Sequence, residues 1–172
     1  MKNLNIQFKP TAGLLIPLLL ACFAAVFISG TTPVSASDQV PFRAAFSTEF
    51  TSVFVPPSFL YISVTGQGNA SHMGATSAVT SDQVVDLSDG SATATYTLTG
   101  ANGDTVVLTM IFQTTEIPGG VTFAGDYTVA GGTGRFYGAT GSGALAGSAF
   151  FTGPNNGVGS FSVAGTISSP GS

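Results

Sequence analysis

Ala92-Thr93-Ala94-Thr95-Tyr96-Thr97-Leu98-Thr99, then Gly100-Ala101-Asn102-Gly103-Asp104, then Thr105-Val106-Val107-Leu108-Thr109-Met110-Ile111-Phe112, is the stretch on which the fold turns. Successive side chains of an extended chain point to opposite faces, so Thr93, Thr95, Thr97 and Thr99 share one face while Ala94, Tyr96 and Leu98 share the other. A helix would scatter both sets. Asn102-Gly103 is the strongest short hairpin signal, and beyond it Val106, Leu108, Met110 and Phe112 carry the apolar face back. The stretch predicts an antiparallel pair with hydroxyls on one side and a core on the other.

The same pattern continues in both directions. Upstream, Phe59 to Thr65 alternates Leu60, Ile62 and Val64 against Tyr61, Ser63 and Thr65 before an expected loop at Gly66-Gln67-Gly68. A more polar strand follows from Thr76 to Leu87, ending in the turn Ser88-Asp89-Gly90. Phe42, Phe46, Phe50 and Phe54 would share one strand face or one helical stripe. Pro41, Pro56 and Pro57 bracket the segment, and the Ser, Thr and Val between them decide for a strand whose phenylalanines form core. Downstream of Pro118-Gly119-Gly120, Val121, Phe123, Tyr127 and Val129 alternate with Thr122, Asp126 and Thr128. A last hairpin turns at Pro154-Asn155-Asn156-Gly157 and returns through Phe161, Val163 and Ile167. About eight strands and no helix of useful length indicate an all-β antiparallel barrel or sandwich. A closed barrel is favoured, because closure removes the edges that so neutral a sheet would otherwise expose.

Only 7% of the 172 residues are charged and 44% are hydrophobic, the composition of an exported β protein. Lys2 and Lys9 precede an apolar run from Thr11 to Ile28, and Val34-Ser35-Ala36 ends it with small residues. That layout predicts a signal peptide over 1–36, cleaved before Ser37, a single domain over 37–172, and a secreted or periplasmic destination. Leu19-Leu20-Ala21-Cys22 offers an alternative, a lipoprotein anchored at Cys22. An uncleaved anchor is a third reading, against which Pro17 interrupts the run. Cleavage leaves Arg43 and Arg135 against eight acidic residues, a net charge of −6. A nucleic-acid backbone needs clustered cations, so that partner is excluded, and anionic membrane surfaces are disfavoured for the same reason. The one cysteine falls in the removed segment, which excludes a disulfide framework.

Glycine is densest from Gly131 to Gly147. Within it, Gly132-x-Gly134-x-x-x-Gly138 imitates a dinucleotide fingerprint, but Ala-Thr-Gly-Ser-Gly follows and would not hold the helix that a phosphate cradle requires. The stretch is read instead as a strand start and bend in a closing barrel. Three segments carry a resemblance to a known family. Gly131-Gly132-Thr133-Gly134-Arg135-Phe136-Tyr137-Gly138-Ala139-Thr140-Gly141 resembles the glycine-rich pattern of the allene oxide cyclase-like barrels, which are related in fold to the dirigent proteins. Gly68 to Gly74 resembles the Gly-x-x-x-His-Leu-Gly turn of their exported bacterial members, and Asn102-Gly103-Asp104 resembles their central hairpin. The resemblance implies an eight-stranded antiparallel barrel with an apolar interior cavity, and it transmits no reaction.

No cofactor is expected. A lone His72 and no cysteine beyond the signal segment cannot assemble a zinc site of the usual kind, and Asp82, Asp86 and Asp89 are read as a solvated face rather than calcium ligands. Gly141-Ser142-Gly143 lacks the strand–turn–helix setting of a nucleophile elbow. Paired carboxylates stay open through Glu49 or Glu116. His72 sits in a glycine-bounded turn, and Arg135 lies between glycines beside two aromatics, placed either to pair with a carboxylate or to grip a ligand. Three functions fit. The first is binding of a small lipophilic molecule, with Tyr61, His72, Tyr96 and Arg135 as candidate ligand-binding residues. The second is a cyclase or isomerase acting by confinement, and the third is a structural protein that self-associates into a homo-oligomer.

Overall fold

A computed structural model describes residues 38–168 and residue 170; the expected signal peptide, its cleavage site before Ser37 and Cys22 lie outside the described residues. Eight strands follow one another: β1 (Gln39–Val55), β2 (Phe59–Ala70), β3 (Gly74–Asp86), β4 (Ser91–Gly100), β5 (Thr105–Ile117), β6 (Gly120–Gly132), β7 (Gly141–Phe151) and β8 (Asn156–Ser168). Each pairs antiparallel with its neighbours in chain order. β8 pairs with β1 from Gln39 opposite Ser168 to Thr51 opposite Asn156, and so closes the sheet into a barrel.

Alternation decides what faces inward. On β4, Ala92, Ala94, Tyr96 and Leu98 are buried while the threonines stay at least partly exposed, and on β5 Val106, Leu108, Met110 and Phe112 are buried. The phenylalanine row of β1 lies on the inner face, from Phe42 and Phe46 through Phe50 to Phe54, which is exposed at the strand's end.

The loop expected at Gly66-Gln67-Gly68 is not there: β2 runs unbroken to Ala70, and the turn falls at 71–73. The glycines serve close approach instead of a turn. Opposite Phe46, a Cβ at Gly68 would run into the Ala45 carbonyl and lie 2.8 Å from the Phe46 ring.

One end of the barrel carries the connections at 56–58, 87–90, 118–119 and 152–155; the other carries those at 71–73, 101–104 and 133–140 with both outer strand ends. The second end is the floor. Between β6 and β7 the glycine-rich stretch forms a 3₁₀ turn, Gly134–Phe136, that buries Phe136 against Gly132. Gly134 and Gly138 hold φ of 59° and 69°, which glycine reaches without the Cβ penalty. Above Phe136, the Phe42 and Tyr127 rings meet at 6.2 Å, and Tyr127 lies over the paired Gly143 and Gly165. A Cβ on those glycines would stand 2.8 and 2.7 Å from its atoms. Higher still, Phe161 meets Phe46 at 5.0 Å and Tyr96 at 5.1 Å. Aromatic packing therefore fills the lower half.

Candidate ligand-binding cavity

Above the layer of Phe46, Phe161 and Tyr96 the barrel opens into a cavity of about 710 Å³. Its walls are Phe50 and Phe54 of β1, Leu60, Ile62 and Val64 of β2, Val85 of β3, Phe112 of β5, Val121 and Phe123 of β6, and Ala149 and Phe151 of β7. Phe112 and Phe123 meet at a tilt with ring centres 5.3 Å apart on one side, and Phe50 meets Phe151 edge-on at 5.4 Å on another. Leu87, Pro154 and Asn155 belong to the hairpins that frame the mouth.

Polar groups are few and placed at two levels. Deep in the cavity the buried Tyr96 hydroxyl donates to Gln83 Oε1 at 2.9 Å. Burial pushes the Tyr96 phenol well above its ordinary range, and the nearby Asp82 charge pushes the same way, so the group stays a neutral hydroxyl. Nearer the mouth, Ser52 Oγ donates to the Asn155 carbonyl at 3.4 Å and Thr114 Oγ1 to the Gly90 carbonyl at 3.0 Å. Asp89 and Glu116 also line the cavity; no lysine, arginine or histidine does among the described residues.

Gln83 faces inward because β3 slips by one residue. Thr76, Ala78 and Thr80 point into the barrel at even positions, whereas Gln83, Val85 and Leu87 do so at odd ones. Register is lost between Val79 and Val84 against β4, and between Ile62 and Val64 against β2, the mark of a bulge. Asp82 holds it open. Its Oδ1 accepts from Thr80 Oγ1 at 2.7 Å and from the Thr95 amide at 2.8 Å, a backbone donor left without its ladder partner. Burial alone would raise the Asp82 carboxyl, but the bonds from Thr80 and Thr95 together outweigh it and hold it below the usual range.

Of the four candidate ligand-binding residues, Tyr96 alone lines the cavity. Tyr61 stands on the outer wall, 46% exposed, since its strand neighbours Leu60 and Ile62 take the inner positions. His72 and Arg135 are at the floor. His72 Nε2 lies 3.0 Å from the Pro41 carbonyl oxygen, in a turn where its φ of 66° is the one positive value outside glycine among the described residues. Arg135 Nε donates to Asp104 Oδ2 at 2.9 Å, its Nη2 donates to the His72 carbonyl at 3.1 Å, and its guanidinium lies 5.7 Å from the Phe136 ring centre. Arg135 and Asn102, in that order, hold the Asp104 carboxyl below the usual range. The arginine thus ties the three floor turns together. Glu49 faces out from β1, while Glu116 faces the cavity. Asp86 and Asp89 accept from Ser88 and Ser91 in their own turn, apart from Asp82. Gln83 escaped sequence reading, although the shift of apolar residues from Ala78 to Val85 and Leu87 signals the bulge that turns it inward.

No known protein family matches the chain, and no curated protein does. Among solved structures, it is similar to a pterocarpan synthase dirigent protein with a TM-score of 0.47 and 12% identity, over 78% of this chain and 88% of that one. Eight antiparallel strands closed into a barrel are what the resemblance to the allene oxide cyclase-like barrels implies.

Proposed function

We propose that this protein is an exported barrel that binds a small lipophilic molecule in the cavity at its open end. The observation that carries the reading is the division of the interior: aromatic packing fills the lower half, while the upper half encloses about 710 Å³ between apolar walls. That volume falls in the range of roughly 300–1,000 Å³ usual for small-molecule sites, and a few placed polar groups in an apolar wall are their usual composition. Native mass spectrometry and thermal melting of the mature barrel against a library of lipophiles test it. At least one compound should give a mass shift and a raised melting temperature; a library without either overturns the reading.

A second reading, a cyclase or isomerase acting by confinement, is favoured by one observation, the Glu116 carboxylate in the cavity wall. Turnover of a bound compound should then fall in Glu116→Gln while binding persists; unchanged turnover removes this reading.

A further inference from the structure

We infer that the cavity selects an uncharged lipophile bearing one hydroxyl or carbonyl, which enters polar end first and is held by Gln83 and Tyr96. This rests on the ligand-binding reading above and specifies the chemistry of the same site.

The Gln83–Tyr96 pair is incompletely used. The tyrosine proton goes to Gln83 Oε1, and among the described residues Gln83 Nε2 has no hydrogen-bond partner while its side chain lines the cavity. The pair therefore offers an amide N–H as donor and the phenol oxygen as acceptor. Reversing the amide changes nothing, because Nε2 would then donate to the tyrosine, leaving the phenol proton and Oε1 to face the ligand. An alcohol can both accept and donate there, and a ketone can accept. By contrast, Ser52 and Thr114 already donate to backbone carbonyls.

Charge sets the rest of the selection. A carboxylate or phosphate brought to this depth would lose its water and find no counterion, since the cavity's two ionisable acids are Asp89 and Glu116 and its walls carry no cation among the described residues. Arg43 is on the outer face of β1, and Arg135 is bound to Asp104 at the floor. An ammonium head would meet its opposite charge at Asp89 and Glu116, away from Gln83. Apolar residues from Phe50 up to Phe54, Leu87 and Phe151 would line the path of the tail to the mouth.

Displacement of the fluorescent lipophile N-phenyl-1-naphthylamine tests this, with dodecanol, 2-dodecanone, dodecanoate and dodecylamine as competitors at a pH where dodecanoate is ionised. Dodecanol and the ketone should compete about tenfold better than dodecanoate, and Gln83→Leu, with each competitor read against the variant's own naphthylamine affinity, should erase about that factor. Probe binding shows that the variant is folded; should Gln83→Leu not fold, Gln83→Met, close in shape to glutamine and without its amide, replaces it with the same expectation. Equal competition by dodecanoate, strongest competition by dodecylamine, or an indifferent Gln83→Leu each overturns the selection while binding itself stands. Failure of every compound, the naphthylamine included, overturns the ligand-binding reading and this one with it.

Discussion

Tyr127 is 1% exposed, and its hydroxyl has no hydrogen-bond partner among the described residues, so burial both leaves the donor unpaired and raises its pKa above the ordinary range. An unpaired buried hydroxyl costs more than its removal, and the ring contacts with Phe42 and the paired glycines survive without it. Tyr127→Phe is therefore expected to stabilise the barrel by about 1 kcal/mol in urea unfolding, the reverse of the usual cost of deleting a hydroxyl. A loss of stability would show that this hydroxyl is paired in solution. The floor ion pair has the opposite sensitivity. Arg135 and Asn102 lower the folded-state pKa of Asp104, so their contribution is present above the ordinary carboxylate range and is lost as pH falls through the folded value. Melting temperature should drop as pH is lowered from 6 towards 3, and Asp104→Asn should lower stability at pH 6 while flattening part of that drop. A variant that keeps the wild-type acid profile would mean that other carboxylates carry it.

Among the elements, β2 and β3 are those whose sequence and structure part company. In β4 and β5 a strict alternation of threonine against Ala94, Tyr96, Leu98, Leu108 and Met110 states which side is core, and the strands form as that pattern requires. β2 and β3 hide more. Gly66 and Gly68 look like a loop, because glycine's freedom in a turn and its tolerance of a close neighbour leave the same mark on a sequence; only the partner strand, with Phe46 across from Gly68, separates the two. In β3 the bulge puts Asp82 and Gln83 on opposite sides of the wall, and the groups that fix it, Thr80 and the Thr95 amide, come together through pairing with β4. The candidate site was legible to the same degree: Tyr96 through its alternation, whereas the outward side of Tyr61 and the distance of His72 and Arg135 from the mouth depend on closure. Asp82→Ala removes the acceptor for the Thr95 amide and should cost about 1 kcal/mol. Because it also frees Gln83 from its inward setting, it should weaken binding of an alcohol more than that of the naphthylamine. Equal weakening of both would reduce Asp82 to a support of the wall.

At the scale of the whole barrel, the division between a packed lower half and an open upper half makes stability and binding separable. The phenylalanine row of β1 crosses that division: Phe42 and Phe46 are built into the aromatic layers, and Phe50 and Phe54 line space. Truncation below it, such as Phe42→Ala, should cost roughly 3–5 kcal/mol, because the buried ring leaves a void among close-packed neighbours. Addition above it meets open volume. Ala149 lies on the cavity side of β7, so Ala149→Phe would extend a ring into the space that a ligand needs without displacing the Phe46–Phe161–Tyr96 layer below. The expected result is a melting temperature at or above the wild-type value, from apolar surface newly buried, together with loss of naphthylamine binding. Unfolding by Ala149→Phe would mean that the upper half is already packed in solution. Retained binding would place the ligand elsewhere, and the shallow groove on the outer wall over Ala45, Gln67, Ala146 and Ser160 is where the same displacement assay would then be directed.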